Sequence, residues 1–394
     1  MSIDLLQVKG VKCSSIASGI KKNNILDLSL ISLSKGSSTA AVFTRNIFCA
    51  APVIVSKNHV NSNIEALLIN SGNANAGTGE RGLEDCYNTC VYLAEELEIK
   101  PEQVLPFSTG VIGEFLPLEA FKSNVNILVS SLSKNGMSKV ANGILTTDLV
   151  EKSYSTSINI GGKTVTLSGV AKGSGMIRPD MATMLSFIVS DISASKEELQ
   201  DCLTHAVNQS FNRITVDGDT STNDACSLSA TNQSGVQLSQ CKGEFQKALN
   251  LVSKKLAQMI VKDGEGATKF VEIKIEGLES SEDCLEVAYT IAHSPLVKTA
   301  LFASDANWGR ILAAVGRAKV NGVSIENIDI YINGLQIIVS GEKSSTYTEE
   351  LGSAEMQKSE IIIRVNLGTT SLSESVWTTD LSYDYVKINA EYRS

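Results

Sequence analysis

The segment Lys172-Gly173-Ser174-Gly175-Met176-Ile177-Arg178-Pro179-Asp180-Met181-Ala182-Thr183 leads straight into an apolar run, Met184 to Ser190. Glycines at 173 and 175 and a proline at 179 make a constrained, irregular loop, and Thr183 would open the strand that follows. A hydroxyl presented at the start of a rigid strand suits a nucleophile. The chain has only three histidines, His59, His205 and His293, and none lies near Thr183 in sequence. None falls in an H-E-x-x-H or H-x-E pattern, which argues against a zinc enzyme. No G-x-S-x-G elbow is present to suggest a serine triad. The base could instead be the α-amino group of the same threonine, whose ordinary pKa of about 8 suits proton transfer near neutrality. That amine exists only if the Ala182–Thr183 peptide bond is broken. The same residues also read as a glycine-rich loop with a β-branched residue packing at the head of a strand. Residue chemistry alone leaves both readings open.

The elements that must hold this segment can be read from periodicity. Thr156 to Ile160 and Thr164 to Val170 predict two strands joined by a Gly161-Gly162 hairpin turn. Ala41 to Thr44 and Leu67 to Ile69 predict further strands, the second running into Asn70-Ser71-Gly72-Asn73-Ala74-Asn75-Ala76-Gly77, where short residues favour a tight turn or backbone approach to a ligand. Helices are predicted over 83–97 and 118–132, the latter from Leu118, Phe121, Val125, Leu128 and Leu132 at helical spacing. Ser195-Lys196-Glu197-Glu198 is a capping box opening a helix to about Phe211. An amphipathic helix spans about 244–261. Beyond Ile275 the pattern changes to helices near 283–292 and 307–318 and strands at 328–332, 335–339 and 361–366. A domain boundary is expected near residue 277, giving domains 1–277 and 278–394.

Composition narrows the class. At 394 residues and 43% hydrophobic, the chain can bury a sizeable core and suggests two domains. A diffuse formal charge of −9 disfavours nucleic acid and anionic membranes as partners, since both need basic patches. Met1 to Leu6 has neither a basic region nor an apolar one, so no secretory signal is read, and no apolar run is long enough to span a membrane. Eight cysteines are scattered without a C-x-x-C pair. Cys86 and Cys90 share a helical face and read as small buried apolar residues. Reduced thiols in a chain of this size point to the cytoplasm or an equivalent reducing compartment.

The loop from Lys172 to Leu185 resembles the autoprocessing signature of the ornithine acetyltransferase family, the bifunctional glutamate N-acetyltransferases of arginine synthesis. So do Asn70–Ala76 (NSGNANA), Ser108–Gly113 (STGVIG), Thr146–Asp148 (TTD), Asp217–Asp224 (DGDTSTND), Gly264–Lys269 (GEGATK), Asp305–Arg310 (DANWGR) and Ile388–Tyr392 (INAEY), in the family's order. The resemblance covers essentially the whole chain. It implies self-cleavage between Ala182 and Thr183 into two fragments that stay associated, with Thr183 as nucleophile. It implies Thr109 and Gly110 as the pair that holds the oxyanion, where a hydroxyl and a backbone N–H are the donors the chemistry needs. It implies Thr146, Lys172, Thr183, Glu265, Asn389 and Ser394 as substrate contacts, Lys172 toward a carboxylate and Glu265 toward an ammonium. Thr147 could share the part of Thr146.

The fold so implied is α/β, a layered sandwich of helices and sheets like that of the self-cleaving aminopeptidases, with a smaller α/β C-terminal domain whose tail reaches the active site. The reaction implied is acetyl transfer from N-acetylornithine to glutamate through acetyl-Thr183, with no metal or organic cofactor. Members that also take acetyl from acetyl-CoA share these motifs. The family suggests a heterotetramer of two copies of each fragment. Two departures stand out: Asp180 occupies a place where many members carry Asn, and the chain ends Arg393-Ser394 where others often end Thr-Thr. Two rivals are a self-cleaving aminopeptidase-type hydrolase, in which water takes the acyl group, and a binding protein that keeps the fold without catalysis.

Overall fold

The computed structural model of the protein describes residues 5–178 and 184–391. The chain divides into two compact units, Met1–Asn212 with Asp219–Ile260, and Arg213–Gly218 with Val261–Ser394.

In the first unit, one sheet has the order β1-β2-β4-β5, from β1 (Val11–Ile16), β2 (Leu28–Leu33), β4 (Ala66–Asn73) and β5 (Val104–Val111). A second sheet has the order β3-β9-β8-β7-β6, from β3 (Ser38–Phe43), β6 (Lys152–Ile160), β7 (Lys163–Lys172), β8 (Leu185–Ser190) and β9 (Ala225–Ala230). Strand alternation sends Ile31, Leu67, Ile69, Leu105 and Phe107 of the first sheet into one core with Val170, Leu185, Phe187 and Val189 of the second. Phe107 and Phe187 meet edge to face at 4.9 Å across that core. The alternate positions Leu28, Leu30, Leu68 and Val104 point the other way. They pack under α1 (Ala51–His59), α2 (Gly79–Leu97), α3 (Leu118–Lys122) and α4 (Val125–Ser130), through Val55, Cys86, Cys90, Leu93, Phe121 and Leu128. A further helix, α5 (Met137–Gly143), adds Met137, Val140 and Ala141 to the core between the sheets.

The outer face of the second sheet is covered by α6 (Lys196–Asn208) and α7 (Lys242–Lys262). A Cβ on Gly169 of β7 would come within 3.0 Å of Val252 and Leu256 of α7, so glycine is what lets that helix lie so close. The unit is therefore a helix–sheet–sheet–helix sandwich, the α/β class expected. The hairpin turn at Gly161 and Gly162 has both φ angles positive, +57° and +81°, and Ser195 caps α6 reciprocally with Glu198.

The second unit is a six-stranded sheet, order β13-β12-β11-β14-β10-β15. Its strands are β10 (Phe270–Glu276), β11 (Asp329–Ile332), β12 (Leu335–Val339), β13 (Glu342–Lys343), β14 (Glu360–Asn366) and β15 (Ser373–Thr379). Its helices are α8 (Ser281–Ala292), α9 (Pro295–Phe302), α10 (Trp308–Gly316), α11 (Glu349–Met356) and α12 (Tyr383–Ala390). Val271, Ile273 and Ile275 alternate inward on β10 and join Val287 and Ile291 of α8 and Ile361, Ile363 and Val365 of β14.

Two expectations differ from what is found. The division falls at 260/261, where the change of pattern suggested 277. The cause is β10, which lies inside the second unit's sheet, parallel to β14 and antiparallel to β15 along its whole length. The helix expected over 118–132 is two short helices, because Asn124 leaves the helical region at φ −123° while its side chain donates to Ala120 O at 2.9 Å. A side chain that competes for helix carbonyls in this way breaks the run. All eight cysteines are free, and Cys86 and Cys90 lie buried on one face of α2. Among the described residues no helix is long and apolar enough to cross a membrane.

Candidate active site

Strands β4 and β5 run parallel, with Asn70 opposite Ser108, Ser71 opposite Thr109 and Gly72 opposite Gly110 before the register shifts at Gly72 and Asn73. Gly110 has φ +134°, and a Cβ there would lie 2.3 Å from the carbonyl carbon of Gly72. No other residue fits that approach. The turn beyond β4 is built by asparagines. Asn70 Nδ2 donates to Asn73 O at 2.9 Å, and Asn70 Oδ1 accepts from Ser108 Oγ at 2.6 Å. Asn223 Nδ2 reaches both Ala74 O, at 2.6 Å, and Ser108 O, at 2.9 Å. The segments at 70–76 and 108–113 and residue Asn223, far apart in sequence, are thus tied into one rim, which holds Thr109 and Gly110 half-exposed.

Lys172 ends β7 at the same rim. Its Nζ donates to Thr146 Oγ1 at 2.8 Å and to Thr109 Oγ1 at 3.3 Å, and it lies 3.8 Å from Asp148 Oδ2. Asp148 is the hub beneath. One oxygen accepts from Lys152 Nζ at 2.6 Å and from Gly173 N at 2.7 Å, the other from Thr146 N at 3.0 Å. The side chains of Asp148 and Lys152 are fully buried. Burial opposes the charge on Asp148, yet the ammonium groups of Lys172 and Lys152 and the Gly173 N–H hold its carboxyl well below the usual carboxylate range. Lys21 Nζ donates to Leu145 O at 2.6 Å and so fixes the turn that carries Thr146. Burial brings the Lys21 ammonium down to about 8, against the pull of Asp27 and with a push from Lys172.

Thr109, Gly110, Thr146 and Lys172 are therefore brought together in the first unit. Glu265 and Asn389 meet in the second, where Asn389 Nδ2 donates to Glu265 Oε2 at 2.9 Å. Ala182, Thr183 and Ser394, as well as Asp180, lie outside the described residues. Thr146 and Thr147, inseparable by sequence, separate here: Thr147 Oγ1 pairs with Ser174 Oγ at 2.7 Å, while Thr146 faces Lys172. Sequence reasoning missed Asp148, Asn223 and Lys21 as parts of the site. Asp148 and Lys152, four apart and opposite in charge, were the available signal for the first. Among the described residues no group of three or more His, Cys, Asp or Glu side chains could hold a metal ion.

The buried pair carries a testable cost. Replacing Asp148 with Asn leaves Lys152 and Lys172 without their carboxylate, and breaking a buried pair costs about 3–5 kcal/mol. Because the folded pKa is depressed, this contribution is fully present above the unfolded value of about 3.9 and is lost as pH falls toward the folded one. Urea midpoints of wild type and Asp148→Asn should differ most at neutral pH and converge below about pH 3.9. A difference that stays constant with pH would show that the charge contributes nothing.

A sequence model of the ArgJ family matches residues 12–394. Arginine biosynthesis bifunctional protein ArgJ of Pseudomonas syringae pv. tomato is 49% identical over 392 residues, 98% of this chain and 97% of that one. The protein of that name from Methylococcus capsulatus is 48% identical over 396 residues, 100% of this chain and 97% of that one. Among solved structures, arginine biosynthesis bifunctional protein ArgJ from Bacillus halodurans matches with a TM-score of 0.50 and 39% identity, over 53% of this chain and 99% of the solved one.

Proposed function

The chain belongs to the ArgJ family, and from that premise we propose that it is an acyltransferase of arginine synthesis, carrying acetyl from N-acetylornithine to glutamate on Thr183. The observation that carries the reading is the Lys172 ammonium held between the hydroxyls of Thr109 and Thr146, next to the loop that leads to Thr183. A fixed cation beside a half-exposed hydroxyl and a glycine N–H suits an amino acid carboxylate next to a reacting carbonyl.

Cleavage between Ala182 and Thr183 frees the α-amine. Thr183 Oγ attacks the acetyl carbonyl of N-acetylornithine, its proton passing to that amine. The oxyanion rests on Thr109 and Gly110, ornithine leaves with the proton, and the α-amine of glutamate then takes the acetyl group from the ester. The solved relative from Bacillus halodurans is a chain that matches over about half of this one, the size of piece that cleavage before Thr183 would leave. The fragments stay together, as two copies of each. Acetyl-CoA is a second donor to be assayed beside acetylornithine. Family membership favours transfer over hydrolysis, since arginine synthesis needs the acetyl group kept.

The test separates the two half-reactions by mass spectrometry of the acetylated fragment. Lys172 is assigned to the α-carboxylate, which both substrates carry, so Lys172→Ala should weaken both halves. Glu265, buried and oriented by Asn389, is assigned to the distal ammonium, which only ornithine carries. Glu265→Gln should then cost the acetylornithine half about 10- to 150-fold, the worth of a charge-assisted hydrogen bond, and spare the glutamate half. Equal losses in both halves would remove Glu265 from that role. A purified protein that transfers no acetyl group from either donor would end the reading.

A further inference from the structure

Strands β10 and β15 run antiparallel, with Phe270 opposite Thr379. Carried further, that pairing would set the main chain of Asp380 and Leu381 against Lys269 and Thr268. The chain instead turns off toward α12, and the Asp380 side chain takes over the pairing. Its Oδ1 accepts from Thr268 N at 2.9 Å and from Lys269 N at 3.0 Å, and its Oδ2 accepts from Thr268 Oγ1 at 2.5 Å. A buried carboxyl that receives two main-chain N–H groups and a hydroxyl is firmly held. Ser382 adds a second grip. Its Oγ donates to Gly266 O at 2.6 Å while accepting from Tyr385 N at 3.2 Å as the cap of α12. Gly266 has φ +66°, and a Cβ on it would lie 2.4 Å from Tyr385 N, so the turn and the helix start are in close contact. The segment 380–382 thus grips the turn 264–269 and begins α12 at the same place.

The helix needs such a grip, since none of its residues is buried. Hydrogen bonds hold both of its ends: Ser382 at the first, and at the second Asn389 Nδ2, which donates to Glu265 Oε2 at 2.9 Å. Asn389 lies about two turns past the cap, roughly 11 Å along the axis. Glu265 sits in the gripped turn and Asn389 on the helix, so the two meet where both are referred to one origin, the segment 380–382. That segment is itself anchored by Lys298 of α9, a buried lysine. Its Nζ donates to Thr378 Oγ1 and Thr379 Oγ1, each at 3.2 Å, and to Thr379 O.

We propose that Asp380 is the positioning residue that sets Glu265, together with Asn389, for the distal ammonium of the donor, so that use of acetylornithine depends on it. This rests on the reading of Glu265 given above. Asp380 touches no substrate. It fixes the turn through Thr268 and Lys269, and the turn fixes the direction of the Glu265 carboxyl.

The experiment follows the two half-reactions separately on the whole protein. Asp380→Ala should raise KM for acetylornithine more than it lowers kcat. It should cost that half at most the 10- to 150-fold that a charge-assisted hydrogen bond at Glu265 is worth, and spare the glutamate half. Asp380→Asn keeps an oxygen for both N–H groups and should recover most of the loss. Asp380→Ala combined with Glu265→Gln should lose no more in the acetylornithine half than Glu265→Gln alone, because the first change acts through the second residue. A merely structural Asp380 would weaken both halves alike and add to Glu265→Gln. Equal losses in both halves, an additive double variant, or an Asn variant no better than Ala overturns the proposal. If Glu265→Gln is selective in the same assays, only the part given to Asp380 falls; a Glu265→Gln without selectivity overturns both readings. Should Asp380→Ala not fold, Thr268→Val replaces it and cuts only the hydroxyl tie to Oδ2. A smaller loss confined to the acetylornithine half then supports the assignment, and a loss that is shared by both halves, or absent, overturns it.

Discussion

A Thr183→Ala chain is expected to emerge from expression as one piece of 394 residues and to carry no acetyl group when given acetylornithine. Both losses have one cause. Self-cleavage needs Thr183 Oγ to attack the Ala182 carbonyl and shift the peptide to an ester that water can open. Transfer needs the same oxygen to take the acetyl group, and also the amine that only cleavage provides. Losing the nucleophile of a covalent mechanism costs on the order of 10⁶ in kcat, which here would bury any residual turnover in background. Thr183→Ser keeps the hydroxyl and should keep part of both activities. Intact mass reports cleavage and an acetyl-transfer assay reports chemistry. Turnover of acetylornithine by Thr183→Ala would place the nucleophile on another residue.

The second large effect is expected at Thr109. Its Oγ1 accepts from Lys172 Nζ, which leaves its own proton free to donate. The Gly110 backbone beside it is pinned by the approach to Gly72, so the pair is set before substrate arrives. Removing one donor from such a site slows the chemical step by about 10²–10³, or about 2.7–4 kcal/mol. Thr109→Ala should therefore lose kcat by that factor. KM should change much less, because Lys172 keeps its contact with Thr146 at 2.8 Å. Thr109→Ser should recover most of the loss. Steady-state kinetics of the three proteins decide it, and an unchanged kcat in Thr109→Ala would take the residue out of the oxyanion site.

Much of the first unit was legible because its signals are local. The Gly161-Gly162 turn, the Ser195–Glu198 cap and the apolar stripe of α7 each depend on residues a few positions apart. Strand β9 was not, since Ala-Cys-Ser-Leu-Ser-Ala shows neither alternation nor bulk, and its burial comes from its neighbours β3 and β8. The insertion of 213–218 in the second unit was equally invisible. It depends on Thr215 N donating to Trp377 O at 2.9 Å and on Arg213 meeting Glu374 at 3.0 Å, partners about 160 residues away. Of the site, the motifs named Thr109, Gly110, Thr146 and Lys172. What binds them, Asp148 under two lysines and Asn223 bridging two strands, is a matter of buried hydrogen bonds that spacing cannot report.

The position of β8 changes what a broken peptide bond means for this chain. The strand lies between β7 and β9, all six of its residues are buried, and its register is fixed on both sides. A cut just ahead of it puts β7 in one fragment and β8 with β9 in the other, so the fragments are joined by a complete ladder inside the core. Separating them is then the same event as unfolding the sheet, and their affinity is the stability of the fold itself. The backward path differs: an uncut chain refolds alone, whereas cut pieces must find each other, at a rate set by their concentration. The proposed cleavage would thus turn a reversible fold into a one-way assembly, held by its barrier to dissociation more than by any chance of repair.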